Sequence, residues 1–233
     1  MSDELRIGTL GAAKITPMAL IRPARNVDRV SVTAVAARDR KRADRFAKKH
    51  GVAKVYDDYE ALVADPDLDV IYNPMPNSLH AEWTLPALDA GKHVLSEKPY
   101  TSNADQAERV HQASERSGRV VMEAFHYSYH PLIARVLDLV SSGELGQLRR
   151  VETWMCFPLP FPNDIRYRLD LAGGSTMDGG CYAIHMARTV AGEEPEVVSA
   201  RAKLARPEID RAMDADLRFP SGVAGTIHSS MWS

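Results

Sequence analysis

A regular alternation of short apolar runs and helical patterns covers the first half of the chain. The predicted strands lie at residues 5–10, 30–37, 54–56, 70–73, 93–97 and 120–125. Helical patterns separate these runs, and glycines such as Gly51 and Gly118 stand where two of them stop. Parallel strands need a long connection, usually a helix, to return to the same end of a sheet. The alternation therefore predicts an α/β fold with a doubly wound parallel sheet.

The pattern changes after residue 126, where we place a domain boundary. A helix pattern lies at residues 131–142. The later strand patterns lie at residues 149–157, 197–205, 212–219 and 223–232, with a further helix pattern at 175–190. Pro220-Ser221-Gly222 is typical of a hairpin turn. We predict a first domain of residues 1–126 and an α+β domain of residues 127–233 with an open, mainly antiparallel sheet. The chain ends inside a predicted strand, so we expect this second domain to be truncated or its sheet edge to be covered by a partner.

Composition narrows the class of protein. The chain has 233 residues and a formal net charge of −2, which favours neither a nucleic-acid nor a membrane partner. Two cysteines exclude a disulfide scaffold and are typical of a reducing compartment. The amino terminus is polar and lacks the apolar core of a secretory signal, and no apolar run is long enough to span a bilayer. We expect a cytoplasmic protein.

The turn out of the first predicted strand has the context of a dinucleotide site. The sequence Gly8-Thr-Leu-Gly11-Ala-Ala13 follows a strand and begins a helix, as in a Rossmann-type fold. Free amide groups at such a helix start can bind a pyrophosphate. The later glycines of the fingerprint are replaced by Ala13 and Thr16, so a strand–helix turn without a ligand is the alternative. The predicted cofactor contacts are Gly8, Gly11, Ala12, Ala13, Lys14 and Ile15.

The end of the second predicted strand bears on the choice of cofactor. A carboxylate here usually binds a free ribose hydroxyl, whereas an arginine suits a 2′-phosphate. Arg38 stands at this point, and Asp39 has a competing use as a helix cap. We predict NADP rather than NAD, with Arg38 at the phosphate. The alternative is that Arg38 belongs to a solvated basic patch with Arg40, Lys41 and Arg42.

Glu97-Lys98-Pro99 lies at the carboxyl end of the fifth predicted strand. Ligands of open α/β sheets bind beyond these strand ends. Pro99 disfavours helical geometry at Lys98, which directs the amine into such a crevice. The alternative is an ordinary strand end with a solvated ion pair. A metal is not predicted, since neither the cysteines nor the eight histidines have ligand spacing.

Five ordered motifs resemble the Gfo/Idh/MocA family of oxidoreductases. They begin at Gly8, Val70, Gly91, Met122 and Gly173 and cover nearly the whole chain. Within the family, the chain looks most similar to the branch of dimeric dihydrodiol dehydrogenase and NADP-dependent D-xylose dehydrogenase. The resemblance implies a Rossmann domain, a second domain whose sheet often forms a homodimer, and a nicotinamide cofactor. It also implies a small-molecule sugar or diol as substrate.

The resemblance also implies site residues. The family's lysine falls on Lys98, its aspartate on Asp178, and the later catalytic position on Tyr182. Asn77 and His80 are implied near the cofactor, with helix capping as the alternative for His80. Glu97 is expected at the nicotinamide side, with orientation of Lys98 as the alternative. Arg166 fits the branch's substrate-binding pattern. Ser128 departs from it, because related sequences often carry arginine there.

These residues suggest a dehydrogenase mechanism. Asp178 and Tyr182 are four residues apart and share one helical face, which we expect to look towards Lys98. A free tyrosine has a pKa of about 10, and the Lys98 ammonium would lower it and bind the developing alkoxide. Tyr182 is thus a candidate base, with Lys98 itself as the alternative base. Asp178 would position the substrate hydroxyl or fix Lys98. The alternative is an ordinary first-turn carboxylate that the helix dipole stabilises.

We therefore predict an NAD(P)-dependent dehydrogenase acting on the CH–OH group of an aldose or a cyclic diol. The alternative is a catalytically silent dinucleotide-binding sensor or partner subunit.

Overall fold

A computed structural model describes residues 4–232 of the chain. The polar amino terminus discussed above thus begins outside the described residues. Internal contacts divide the chain into two compact units, the first ending at Ala124 and the second beginning at Phe125. Sequence placed the domain boundary nearby, after residue 126. Each unit is described by itself.

The first unit is built on a six-stranded parallel sheet. Its strands are β1 (Leu5–Leu10), β2 (Val30–Ala36), β3 (Lys54–Tyr56), β4 (Val70–Asn73), β5 (His93–Ser96) and β6 (Val121–Glu123). Their order is β3-β2-β1-β4-β5-β6, and every neighbouring pair is parallel. This is the order of the dinucleotide-binding doubly wound fold. The predicted fold class of this half is confirmed.

Helices connect these strands, and local chemistry sets their limits. A π-helical turn, Pro17–Ile21, runs into α1 (Arg22–Ala24), followed by α2 (Arg40–His50), α3 (Tyr59–Ala64), α4 (His80–Asp89) and α5 (Ala104–Ser117). The side chains of Asp39, Asp58 and Asn103 accept hydrogen bonds from first-turn amides and cap α2, α3 and α5. Gly51 and Gly118 end α2 and α5 in the left-handed conformation that glycine adopts without strain.

The second unit contains a four-stranded sheet with helices. Its strands are β7 (Arg150–Cys156), β8 (Glu196–Arg206), β9 (Ile209–Arg218) and β10 (Ala224–Ser230), in the order β7-β10-β9-β8. β8, β9 and β10 pair antiparallel, whereas β10 and β7 are parallel. The prediction of a mainly antiparallel sheet is confirmed.

Two helices belong to this unit, α6 (Pro131–Ser141) and α7 (Cys181–Ala191), and a π-helical turn, Thr176–Gly180, leads into α7. One sheet face packs on α7 through buried residues such as Val151, Ala187 and Ile227. The opposite face leaves Trp154 exposed. No helix within residues 4–232 is long and apolar enough to cross a membrane.

Candidate active site

The turn after β1 has the geometry of an anion site. Gly11 has a φ of 86°, and its amide donates to the carbonyl of Ala36 at 2.7 Å. The amides of Ala12, Ala13 and Lys14 donate no hydrogen bond to another of the described residues. These open donors fit the pyrophosphate of a dinucleotide, so the residues present suit the cofactor that the sequence predicts.

Core packing explains why residue 8 is a glycine. It lies inside β1, and a Cβ at this position would stand 2.6 Å from Cδ1 of Leu68 and 3.0 Å from Cδ2 of Leu62. Leu62 and Leu68 belong to the buried core of the first unit. Glycine at position 8 therefore lets this core close on β1, while its predicted cofactor contact stays a prediction.

The basic segment after β2 divides into paired and unpaired side chains. The Asp39 carboxylate accepts the Arg42 amide at 3.1 Å and caps α2, and the Arg42 guanidinium donates to the Ala12 carbonyl at 2.7 Å. Arg40 pairs with Asp44 and Asp57. Exposed Arg38 forms no ion pair with the described residues. It is thus the arginine of this segment that fits a phosphate.

The Glu97–Pro99 turn is anchored by neighbouring backbone and side chains. The Glu97 amide donates to the Asn73 carbonyl at 3.0 Å. The buried Tyr72 hydroxyl donates to Glu97 Oε1 at 2.7 Å. Lys98, half-buried, therefore lies in a turn whose preceding residue is held at two points. Sequence reasoning missed Tyr72, since only the pairing of β4 with β5 brings it beside Glu97.

His80 holds the other side of this turn. Its ring is fully buried, with Nδ1 2.6 Å from the Pro99 carbonyl and Nε2 2.8 Å from the Met75 carbonyl. Burial lowers the pKa of His80, against the opposing effect of these carbonyls. Both ring nitrogens therefore face backbone oxygens, and the cofactor contact predicted for His80 stays a prediction. The Asn77 carbonyl accepts the Ser102 hydroxyl at 3.1 Å, which ties the segment after Pro99 to the same region.

In the second unit, Asp178 and Arg166 are in direct contact. Asp178 lies in the π-helical turn before α7, and its Oδ2 accepts Arg166 Nε at 2.6 Å. Arg166 Nη1 donates to Asp164 Oδ1 at 3.1 Å. Burial would lower the pKa of Arg166, but the charges of the two carboxylates raise it instead. The guanidinium is thus fixed between Asp178 and Asp164, a residue that the sequence did not single out.

Two glycines allow this arrangement. A Cβ on Gly173 would stand 2.5 Å from the Arg166 carbonyl oxygen. Gly174 has a φ of 117°, and a Cβ there would meet Asp210 Oδ1 at 2.4 Å. Asp210 Oδ2 accepts the amide and the hydroxyl of Thr176, each at 2.8 Å, and so caps the π-helical turn. The close backbone approach positions the turn that carries Asp178.

Tyr182 lies in an aromatic cluster within the same unit. Its ring meets Phe125 edge-on at 5.1 Å and Tyr127 at 6.1 Å. His185, one helical turn further along α7, stacks on Phe125 at 4.1 Å, and its Nδ1 lies 2.6 Å from the Tyr127 hydroxyl. Burial lowers the pKa of His185 and raises that of Tyr127. The cluster fixes the Tyr182 ring while leaving it half-buried.

The structure thus brings the predicted residues together in two groups. Glu97 and Lys98 share the anchored turn of the first unit. In the second unit, Asp178 and Tyr182 lie in and just after the π-helical turn that leads into α7, and Arg166, from the turn Ile165–Tyr167, pairs with Asp178. Within residues 4–232, no group of three histidine, cysteine or acidic side chains could hold a metal.

A parallel sheet in this strand order, with open amides after β1, defines a dinucleotide-binding protein of the Rossmann class. The chain belongs to the Gfo/Idh/MocA family. Residues 5–125 match the model of the oxidoreductase family with an NAD-binding Rossmann fold, and residues 133–233 match that of the Gfo/Idh/MocA C-terminal domain. The predicted family and its oxidoreductase class are confirmed.

Two sequence relatives illustrate the branch. The chain is 41% identical over 227 residues to D-xylose 1-dehydrogenase (NADP(+)) 2 of Haloferax volcanii, covering 97% of this chain and 69% of the relative. It is 34% identical to trans-1,2-dihydrobenzene-1,2-diol dehydrogenase of Xenopus laevis, covering 85% of this chain and 60% of the relative. These are the two enzyme types of the predicted branch, which they confirm.

Solved structures agree with this assignment. A 3-ketoreductase from Actinomadura kijaniata, crystallised with NADP and TDP-benzene, matches with a TM-score of 0.92 at 33% identity, over 98% of this chain and 70% of that one. An aldose-aldose oxidoreductase from Caulobacter crescentus, crystallised with glycerol, matches with a TM-score of 0.89 at 28% identity, over 98% of this chain and 71% of that one.

Proposed function

We propose that this chain is an NADP-dependent dehydrogenase that acts on the CH–OH group of a sugar or a cyclic diol. The observation that carries the proposal is the Glu97–Pro99 turn, held by Tyr72 and His80 at the carboxyl end of β5. Ligands of such sheets bind beyond this strand end. The relative named for D-xylose and NADP(+) and the relative named for a dihydrodiol support the same activity.

The proposed chemistry separates hydride from proton. Bound NADP+ supplies the hydride acceptor. The Tyr182 phenolate takes the proton of the substrate hydroxyl and becomes the neutral phenol, while the Lys98 ammonium stabilises the charge that develops on that oxygen. The alternative assigns the proton to Lys98 in its neutral form. Asp178, fixed by Arg166, accepts a hydrogen bond from a substrate hydroxyl and orients it.

Charge supports a neutral substrate over a nucleotide sugar. Arg166 lies between the carboxylates of Asp164 and Asp178, so its charge is already balanced. Aromatic rings lie around Tyr182, those of Phe125, Tyr127 and His126. Aromatic faces and paired carboxylates suit a polyol, whereas a diphosphate needs cations.

A dehydrogenase assay tests the proposal. NADP+ reduction is followed by absorbance with a panel of aldoses and cyclic diols, and the best substrate is then used for variants. We expect Lys98→Ala and Tyr182→Phe each to lose roughly a hundredfold or more in kcat, as for removal of acid–base or electrostatic catalysis. The matched controls are Lys48→Ala in α2 and Tyr129→Phe, both at exposed positions.

Unchanged turnover in Lys98→Ala and Tyr182→Phe would exclude the mechanism. Tight NADPH binding without turnover of any substrate would instead favour a silent dinucleotide-binding protein. The pH profile separates the two bases, because the base must be deprotonated to act. A Tyr182 base predicts that the acidic limb changes in Tyr182→Phe, whereas a Lys98 base predicts that it is kept.

We further propose cytoplasmic localisation and self-association through the sheet of the second unit. Both cysteines are free thiols, Cys156 exposed and Cys181 half-buried, which suits a reducing compartment. The face of the sheet opposite α7 exposes Trp154, which stacks on His228 at 5.2 Å. A surface of this kind suits contact with a second copy of the chain.

A further inference from the structure

Tyr72 is a buried tyrosine in the middle of the parallel sheet. It lies in β4, paired with Thr9 of β1 and Leu95 of β5, and is only 1% exposed. Its ring packs with Ile7 and Leu20 in a small apolar cluster. The residues before it in β4 are the apolar Val70 and Ile71, and Asn73 follows it. Packing accounts for an aromatic ring at this position but not for its hydroxyl.

The hydroxyl has a defined partner outside the core. It donates to Glu97 Oε1 at 2.7 Å, within the range of a charge-assisted hydrogen bond. A glutamate side chain has three rotatable bonds, and this contact fixes one carboxylate oxygen. Together with the hydrogen bond that the Glu97 amide donates to the Asn73 carbonyl at 3.0 Å, it holds both the backbone and the side chain of Glu97.

We propose that Tyr72 is a positioning residue for cofactor binding that acts through Glu97. This inference rests on the proposed function and on the cofactor contact that the family resemblance implies for Glu97. With Oε1 held by Tyr72, the second oxygen, Oε2, is presented in one orientation to the cofactor. Because Tyr72 already restricts the Glu97 side chain, binding of the cofactor costs less side-chain entropy. The affinity for the cofactor is therefore higher.

The test removes the hydroxyl and keeps the ring. In Tyr72→Phe we expect the dissociation constant for NADPH, measured by its fluorescence, to rise roughly tenfold, as for loss of a hydrogen bond to a charged group. The KM for NADP+ should rise similarly, while kcat at saturating NADP+ changes little. A role in packing alone predicts unchanged KM and NADPH binding.

A double-mutant cycle shows whether the effect passes through Glu97. In a Glu97→Ala background, Tyr72→Phe should cause no further loss of NADPH affinity, because the partner is already gone. If the fold-losses of NADPH affinity in the two single variants multiply in the double variant, the proposal is overturned. Unchanged NADPH affinity in Tyr72→Phe would overturn it as well.

The matched control is Tyr56→Phe, which removes another tyrosine–carboxylate bond of the same unit, to Asp65. NADPH affinity should be unchanged in this variant, and an equal loss there would overturn the proposal. If Tyr72→Phe fails to fold, Glu97→Gln and Glu97→Ala decide the question. Gln keeps an acceptor for Tyr72, so we expect a smaller loss than in Glu97→Ala, and equal losses contradict the proposal.

Direct NADPH binding also separates this inference from the proposed function. If the protein binds NADPH but turns over no sugar or diol, the proposed activity fails while the Tyr72 cycle still gives its answer. Absence of NADPH binding in the unaltered protein would overturn the Tyr72 proposal itself.

Discussion

Arg38 and Asp39 are adjacent residues with separate tasks. The Asp39 carboxylate caps α2 by accepting the Arg42 amide, so the acidic residue after β2 serves the helix. Arg38 is exposed and forms no ion pair within residues 4–232. This division favours a cofactor that carries a phosphate on its ribose, because the guanidinium binds phosphate with two parallel hydrogen bonds.

Replacing Arg38 should therefore change cofactor preference. We expect Arg38→Ala to raise the KM for NADP+ roughly tenfold or more, the effect of losing a hydrogen bond to a charged group. The KM for NAD+ should stay nearly constant, because NAD+ lacks that phosphate. Initial rates with each cofactor measure both values. Arg45→Ala, an exposed arginine of α2, is the control, and equal changes with both cofactors would contradict the assignment.

At the scale of elements, the amino-terminal ends of the first unit's strands meet in a network of charges. The Arg6 amide and guanidinium donate to Asp69 Oδ2 at 2.8 and 3.2 Å. Tyr56 and Lys54 donate to buried Asp65. Buried Lys92 donates to the carbonyls of Asp65 and Leu68 at 2.7 and 2.8 Å. These contacts fasten the loop between α3 and β4.

This network makes the stability of the fold depend on pH. Burial would raise the pKa of Asp65, but hydrogen bonds from Tyr56, the Asp67 amide and Lys54 outweigh it and lower the pKa. A lowered pKa in the folded state means that stabilisation is present above the unfolded pKa of about 3.9 and is lost as pH falls through the folded value. The pKa of Asp69 is lowered as well, because the hydrogen bonds and the charge of Arg6 outweigh the effect of burial.

Urea unfolding at neutral pH and near pH 3 tests this dependence. We expect Asp65→Asn to lower the free energy of unfolding by about 1–3 kcal/mol at neutral pH, as for a broken buried hydrogen-bond network. Because the titrating group is gone, the variant should lose less on acidification than the unaltered chain. Asp28→Asn, at an exposed turn, should keep the full pH dependence. A variant slope equal to that of the unaltered chain would argue against the role of Asp65.

Sequence patterns predicted the positions of the strands more accurately than they predicted the contacts between side chains. Strands β1, β3 and β4 lie where the apolar runs place them, since buried parallel strands are continuous apolar segments. The π-helical turn before α7 was not predicted. It depends on close tertiary packing, since a Cβ added to Gly179 would stand only 3.2 Å from Met155 Cγ. The Tyr72–Glu97 and Tyr127–His185 contacts likewise join residues whose meeting depends on tertiary folding.

At the scale of the whole molecule, the outer face of the second unit's sheet has an ordered surface. Trp154, His228, Asp214 and Arg201 stand in register across β7, β10, β9 and β8. His228 Nδ1 lies 2.6 Å from Asp214 Oδ1, which holds the imidazole beneath the Trp154 ring. β8 is exposed along its whole length. The row combines an aromatic surface with charges at fixed positions, as interfaces between proteins do.

Self-association should depend on this row. We expect the chain to sediment as a dimer at micromolar concentrations and Trp154→Glu to shift it to monomer, because a charge would be buried without a partner. Val120→Glu, at an exposed position of the first unit, should leave the dimer intact. Analytical ultracentrifugation measures both. A chain that is monomeric without any substitution would refute the proposed contact.

The anchoring of the Glu97–Pro99 turn has a consequence for how such proteins diversify. The turn is held by Tyr72, Asn73 and His80, which all come from β4 and the segment that follows it. The turn that carries Lys98 is therefore held in place by a stretch of chain that ends before residue 100. Recombination that exchanges the latter half of the sequence between relatives would leave these contacts intact. New substrate specificities can therefore arise without changes in the residues that hold the Lys98 turn.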